Sequence, residues 1–138
     1  MPIVVDADPA TADIDFLRDR IDEFNFAATD IRDGREFACF VRDAIGQIVA
    51  GLYGWTWGGC CDVRYLWVRE DLRRQGHGQA LLAAAEREAR ARGCVQVVLE
   101  THSFQAPDFY RKLGYEIVSA YEEYPAGHRK YHLRKRLL

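Results

Sequence analysis

The chain has 138 residues, 49% of them apolar and 12% aromatic, with a net charge of −2. That length suffices for one packed domain, 1–138, and the charge excludes a general nucleic-acid binder. No apolar stretch reaches the ~20 residues that span a bilayer, and no basic-then-apolar leader opens the chain, so a soluble, cytoplasmic protein without a membrane partner is expected.

Pro2 to Val5 reads as a short β-type start, and Thr11 as a helix cap. Ile14, Leu17, Ile21 and Phe24 recur at three to four residues, which predicts an amphipathic helix over 13–27. Glu36 to Arg42 and Gln47 to Trp57 are β-rich runs joined through Asp43 to Gly46, a hairpin signal, and Cys61 to Val68 follows Gly58-Gly59. These three runs predict an antiparallel meander. Gly78 to Arg92 is a helix stopped by Gly93. Val95 to Glu100 is almost wholly apolar, which predicts burial on both faces and a parallel neighbour. Ala106 to Leu113 is a short helix with Pro107 in its first turn. Tyr115 to Tyr121 and His128 to Leu137 close the chain as strands. The order is α+β with a mixed sheet.

The four cysteines (39, 60, 61 and 94) form no Cys-x-x-Cys pair, and reduced thiols are expected. They make no metal spacing with the four histidines, so no metal is expected. Tyr53, Trp55 and Trp57 alternate on one strand face and are expected to pack in the core. Residues 1–36 hold ten acids against four arginines, and residues 127–138 hold five Lys or Arg and no acid.

The most specific stretch is Arg73-Arg74-Gln75-Gly76-His77-Gly78-Gln79-Ala80-Leu81. It joins the apolar run Tyr65 to Val68 to an Ala-rich helix. Backbone N–H groups in such a loop converge on one point, and the helix N-terminus adds partial positive charge there. A side chain at Gly76 or Gly78 would keep a diphosphate from the backbone. A P-loop would need Lys-Ser/Thr where Gln79-Ala80 stands, and a dinucleotide fingerprint would need a small residue at Leu81. An Arg-x-x-Gly-x-Gly loop for the pyrophosphate of coenzyme A remains, beside a glycine turn that only starts a helix.

A second segment runs Ser103-Phe104-Gln105-Ala106-Pro107-Asp108-Phe109-Tyr110-Arg111-Lys112-Leu113-Gly114-Tyr115. Together the two segments resemble the GNAT superfamily of acyl-CoA-dependent N-acyltransferases, over roughly residues 36 to 138. Ser103 stands where many members carry Asn. The resemblance implies a single-domain GNAT fold: a mixed central sheet, helices on both faces, and a splayed cleft for acyl-CoA. It implies acetyl-CoA as co-substrate and an amine as acceptor; a homodimer is left open. The cofactor would lie on Leu66, Trp67, Val68, the loop residues Arg73, Arg74, Gln75, Gly76, His77, Gly78 and Gln79, and on Ser103 and Tyr110. Backbone groups of Leu66 to Val68 would pair with the pantetheine amides as an added strand does.

Amide formation from a thioester needs a neutral amine, a polarised carbonyl and a proton for the departing thiolate. No Ser-His-Asp or Cys-His arrangement is legible, so direct attack in a ternary complex is expected. Tyr110 matches the family's Tyr near the thioester sulfur and is the candidate acid. Asp62, eleven residues before Arg73, lies near the offset at which some members of the family carry a base carboxylate, so the resemblance makes it the candidate base; by alternation it shares a face with Arg64, Leu66 and Val68, and Arg64 could pair with it. Glu100, His102, Glu122, Glu123 or a water chain are its rivals. The expected function is an N-acetyltransferase acting on a cationic amine. The alternatives are a protein N-acetyltransferase and a non-catalytic acyl-CoA-binding module on the same fold.

Overall fold

Spacing of Ile14, Leu17, Ile21 and Phe24 at helical intervals gives a 19-residue helix, α1 (Thr11–Thr29), in the computed structural model, which describes residues 1–138. Thr11 is its first turn rather than its cap; Ala10 takes the cap position with no side-chain bond. Asp30 ends the helix in a left-handed conformation, its N–H on the Phe26 carbonyl at 2.8 Å. The apolar run Pro2 to Val5 forms no strand. β-type side chains alone make no strand without a neighbour to complete its hydrogen bonds. Met1–Arg32 and Asp33–Leu138 are two compact units.

In the second unit β1 (Arg35–Arg42) and β2 (Ile48–Trp57) pair antiparallel. Asp43 closes their turn: its carboxylate accepts the N–H groups of Ile45 and Gln47, each at 3.0 Å. Gly58 and Gly59, at φ +58° and +84°, turn the chain into β3 (Cys60–Val68), antiparallel to β2. A 3₁₀ turn, Glu70–Leu72, leads to α2 (His77–Ala91). Then come β4 (Gln96–His102), α3 (Pro107–Lys112), β5 (Glu116–Glu122) and β6 (Arg129–Arg136). The six strands form one mixed sheet in the order β1-β2-β3-β4-β6-β5.

One face of the sheet carries the core. Leu52, Cys61, Val97 and Leu133 meet Leu82, Ala85 and Ala89 of α2, all essentially inaccessible, and Tyr110 and Tyr115 join the same cluster. Tyr53, Trp55 and Trp57 do share a face, but the opposite one. They are half-buried, while Gly54 and Thr56 between them and Leu52 before them point inward. β4 is likewise buried on one face only, through Val97, Leu99 and Thr101, not on both. A buried carboxylate ties α2 to the sheet: Glu86 accepts the Tyr115 hydroxyl at 3.0 Å and the Lys135 ammonium at 2.7 Å. Such a group is tolerated in the interior because both its oxygens are bonded. All four cysteines are free, and burial pushes the Cys61 thiol up to about 12.

Leu82→Ala removes a fully buried side chain at the centre of this interface. It should lower unfolding stability by about 2–5 kcal/mol, read from urea denaturation at unchanged m-value.

Candidate acetyl-CoA cleft and active site

Two strands that start together and then part create the site. β3 and β4 pair in parallel only from Cys60 to Val63 against Gln96 to Leu99. At that point β3 carries a bulge: Gly54 of β2 faces Val63 and Tyr53 faces Tyr65, so Arg64 is the extra residue. A bulge bends its strand and turns every later side chain over. Leu66 and Val68 therefore pack towards the core with Cys61 and Val63. Asp62 and Arg64 lie on the other face and pair with each other, Nε to Oδ2 at 3.3 Å. The shared face of Asp62, Arg64, Leu66 and Val68 expected from alternation does not exist.

Beyond the bulge the β4-facing edge of Leu66 to Val68 is open, and a cleft of about 880 Å³ fills the gap. One wall is Leu66, Trp67 and Val68. The floor is Leu72 to Arg74 with Gly76 to Gln79, and the far wall is Phe104 to Ala106 with Phe109 and Tyr110 of α3.

Gly76 caps α2 at φ +85°, a conformation that favours glycine, and a Cβ there would enter open space. Gly78 differs: a Cβ there would lie 3.2 Å from Cζ of Phe109. Its lack of a side chain lets α3 close against the loop. The N–H groups of Gly76, His77, Gly78 and Gln79 find no acceptor in the chain. They form an anion cradle at a helix N-terminus. Arg74, at φ +63°, lines it; Arg73 also lines it but turns its Nε to the Val68 carbonyl at 3.0 Å, which holds the end of β3.

Tyr110 is 8% exposed, with its ring edge-on to Phe109 and to Tyr115. No group of the chain bonds its hydroxyl, and Tyr110 lines the cleft. Burial pushes this phenol from 10.0 up to about 12. It is a proton donor throughout the neutral range.

A GNAT acetyltransferase domain matches residues 35–117, the segment that builds this cleft. The chain belongs to the GNAT acetyltransferase family. A blasticidin-S acetyltransferase of Streptomyces morookaense is 39% identical over 95 residues, 66% of this chain and 65% of that protein, so the match spans less than two thirds of the relative. An acetyltransferase of Agrobacterium fabrum is 32% identical over 120 residues, 87% of this chain and 88% of its own. A solved structure from Agrobacterium tumefaciens, assigned as an acetyltransferase, superposes with a TM-score of 0.90 over 99% of both chains at 29% identity.

Most cofactor residues expected of a GNAT enzyme do converge on the cleft. Three of the expected site residues do not line it. Gln75 turns its amide to the Asp71 carbonyl at 3.2 Å. Ser103 is bound to β6, its N–H on the Arg129 carbonyl and its hydroxyl on the Arg129 N–H. Asp62 faces Arg64 outside the cleft. Sequence reasoning misses Leu72, Phe104, Gln105, Ala106 and Phe109 as parts of the wall; all but Leu72 sit within the second motif, which is the signal that points to them. Gln105 closes the end of β4 by accepting the His102 N–H at 2.7 Å.

The candidate bases differ in how occupied they are. Glu100 pairs with Lys130 at 2.7 Å and His132 at 3.2 Å, and the Lys130 hydrogen bond holds its carboxyl below the usual range. Glu122 pairs with Arg129, and Glu123 accepts the Gly127 N–H. His102 sits 3.0 Å from the Tyr124 carbonyl through Nδ1. A carbonyl only accepts, so Nδ1 carries the proton and Nε2 keeps its lone pair in the neutral ring.

Proposed function

We propose that the chain moves the acetyl group of acetyl-CoA to a primary amine by direct attack in a ternary complex, and that the acceptor is a small cationic amine. The observation that carries this reading is the Tyr110 hydroxyl: protonated, unbonded within the chain and on the wall of the cleft. The open edge at Leu66 to Val68 suits the pantetheine amides, and the unpaired N–H groups from Gly76 to Gln79 with Arg74 suit the pyrophosphate.

The amine nitrogen attacks the thioester carbonyl with its lone pair, forming the C–N bond. The C–S bond then breaks, and its electron pair leaves on sulfur. Tyr110 protonates that thiolate, and the nitrogen gives up one proton. The products are the N-acetyl amine and the free thiol of coenzyme A. His102 is the better-placed proton acceptor. Neither His102 nor Asp62 lines the cleft, but the His102 Nε2 is open and its ring lies against Phe104 of the cleft wall, whereas Asp62 is held by Arg64.

The ten acids of residues 1–36 favour a cation, since a negative field raises the local concentration of cationic substrate. Thiol release from acetyl-CoA, measured against a panel of primary amines that includes blasticidin S, tests the reading. Release should depend on the amine. For a cationic acceptor kcat/KM should fall with added salt, because exposed charges are screened beyond ~8 Å at physiological ionic strength. Preference for neutral or anionic amines, or no response to salt, removes the cationic acceptor. Tight acetyl-CoA binding with no amine acetylated removes the transfer itself.

A further inference from the structure

Six side chains form an unbroken run of rings across the ends of β4, β5 and β6. His128 meets Phe104 edge-on at 5.1 Å between centroids. Phe104 lies parallel to His102, at 5.2 Å and 8°. His102 meets Tyr124 at 5.4 Å, Tyr124 stacks on Tyr121 at 6.4 Å and 27°, and Tyr121 ends on His132 at 5.1 Å. The core uses none of them. Phe104, Tyr121 and Tyr124 are 56%, 58% and 49% exposed, although folding normally covers rings of this size.

The run is also held in place. Ser103 and Arg129 exchange two hydrogen bonds, His102 holds the Tyr124 carbonyl, and the Tyr124 N–H reaches the His128 carbonyl at 3.3 Å. These bonds join the end of β4 to the β5–β6 hairpin, so the rings are presented with little conformational freedom left to lose on binding. Phe104 belongs both to the run and to the wall of the acetyl-CoA cleft. The ring surface therefore begins at the cleft wall and leads away from it.

The charges around the rings select further. Arg129 is paired with Glu122 and Lys130 with Glu100, while Glu123 meets only a backbone N–H. No unpaired cation stands there to hold an anionic acceptor. The Lys130 ammonium stands over the Tyr124 ring, 4.6 Å from its centroid, and the surface that Phe104, Tyr121 and Tyr124 still expose gains most from another flat ring, laid on it offset or edge-on.

We infer that this run is the acceptor subsite, and that it selects a primary amine carried on a flat conjugated ring, aromatic or heteroaromatic. The inference rests on the acetyl-transfer reading above. Phe104, Tyr121 and Tyr124 hold the ring, and His102 stands at the junction with the cleft.

Two probes of equal chain length separate flatness from hydrophobicity: 2-phenylethylamine and 2-cyclohexylethylamine. The flat amine should be acetylated with kcat/KM about tenfold higher, the upper range of one stacking contact. A Tyr121→Leu/Tyr124→Leu double variant should erase that preference by raising KM for the flat amine, with KM for acetyl-CoA unmoved. Equal kcat/KM for the two probes overturns the inference, as does a preference that survives in the variant. If neither probe is acetylated, their binding to the acetyl-CoA complex decides by calorimetry: tighter binding of the flat amine sustains the subsite, and equal or absent binding overturns it. Failure of the transfer reading looks different, because then no amine of any shape is acetylated.

Discussion

Tyr110→Phe lowers the rate of acetyl transfer by about 10²–10⁴, the usual cost of losing a general acid, and leaves acetyl-CoA affinity nearly unchanged. The substitution deletes one oxygen that bonds to nothing in the chain, while the ring keeps its edge-on contacts with Phe109 and Tyr115. Folding should therefore be unaffected. Single-turnover measurement of the chemical step checks the claim, and an unchanged rate constant would take Tyr110 out of the mechanism. The same hydroxyl sets the alkaline limb of activity. Burial raises its pKa from 10.0 to about 12, so the protonated, donating form persists to higher pH than in a free phenol. Activity should rise with pH as the acceptor amine loses its proton, and should not fall between about pH 9.5 and 10.5, where a phenol of ordinary pKa ~10 would ionise. A descending limb centred near pH 10 in wild type, absent from Tyr110→Phe, would show that burial does not protect the proton.

Gly78→Glu abolishes tight acetyl-CoA binding and spares the fold. Gly78 lies in the first turn of α2 without a positive φ, so a side chain is sterically allowed by the backbone, and Glu is the better helix former. An acid at a helix N-terminus also favours the helix itself. The loss is confined to the ligand. The new carboxylate stands beside the N–H groups that would hold the pyrophosphate. At 8 Å and an effective dielectric near 20, each like-charge pair costs about 2 kcal/mol, a factor of about 30 in affinity. The added Cβ also presses on Phe109, at 3.2 Å, and narrows the cleft. Calorimetry should show the affinity falling at least about 30-fold with the melting temperature maintained. Gly78→Ala, which adds the Cβ without the charge, should lose much less. Wild-type affinity in Gly78→Glu would mean that the loop does not hold the pyrophosphate.

Features that rest on neighbours along the chain are legible in the sequence. The glycine loop, the helix opened by Pro107, the Asp43 turn and the family itself all follow from contiguous residues, because turns, caps and helix starts are closed by groups a few positions apart. Sequence reasoning fails where the partner is distant. The side chains of Pro2 to Val5 suit a strand, and nothing pairs with them. Alternation puts Asp62 on the same face of β3 as Leu66 and Val68, but alternation holds only while the register does. The bulge at Arg64 depends on how β2 and β3 fit across their shared edge, and it moves Asp62 and Leu66 to opposite faces. The position of Ser103 in its motif points to the cofactor, yet Arg129 takes both its polar groups.

The sequence by itself determined the family and singled out the glycine loop and the candidate acid, because each is written in one short segment. The tertiary structure alone decided where the cleft opens, that Phe109 is what a side chain at Gly78 would meet, and that rings from residues 102–104 and 121–132 form one surface. Each of these depends on strands and helices far apart in the chain meeting at a particular register, and register is fixed by packing across the whole sheet rather than by any segment within it.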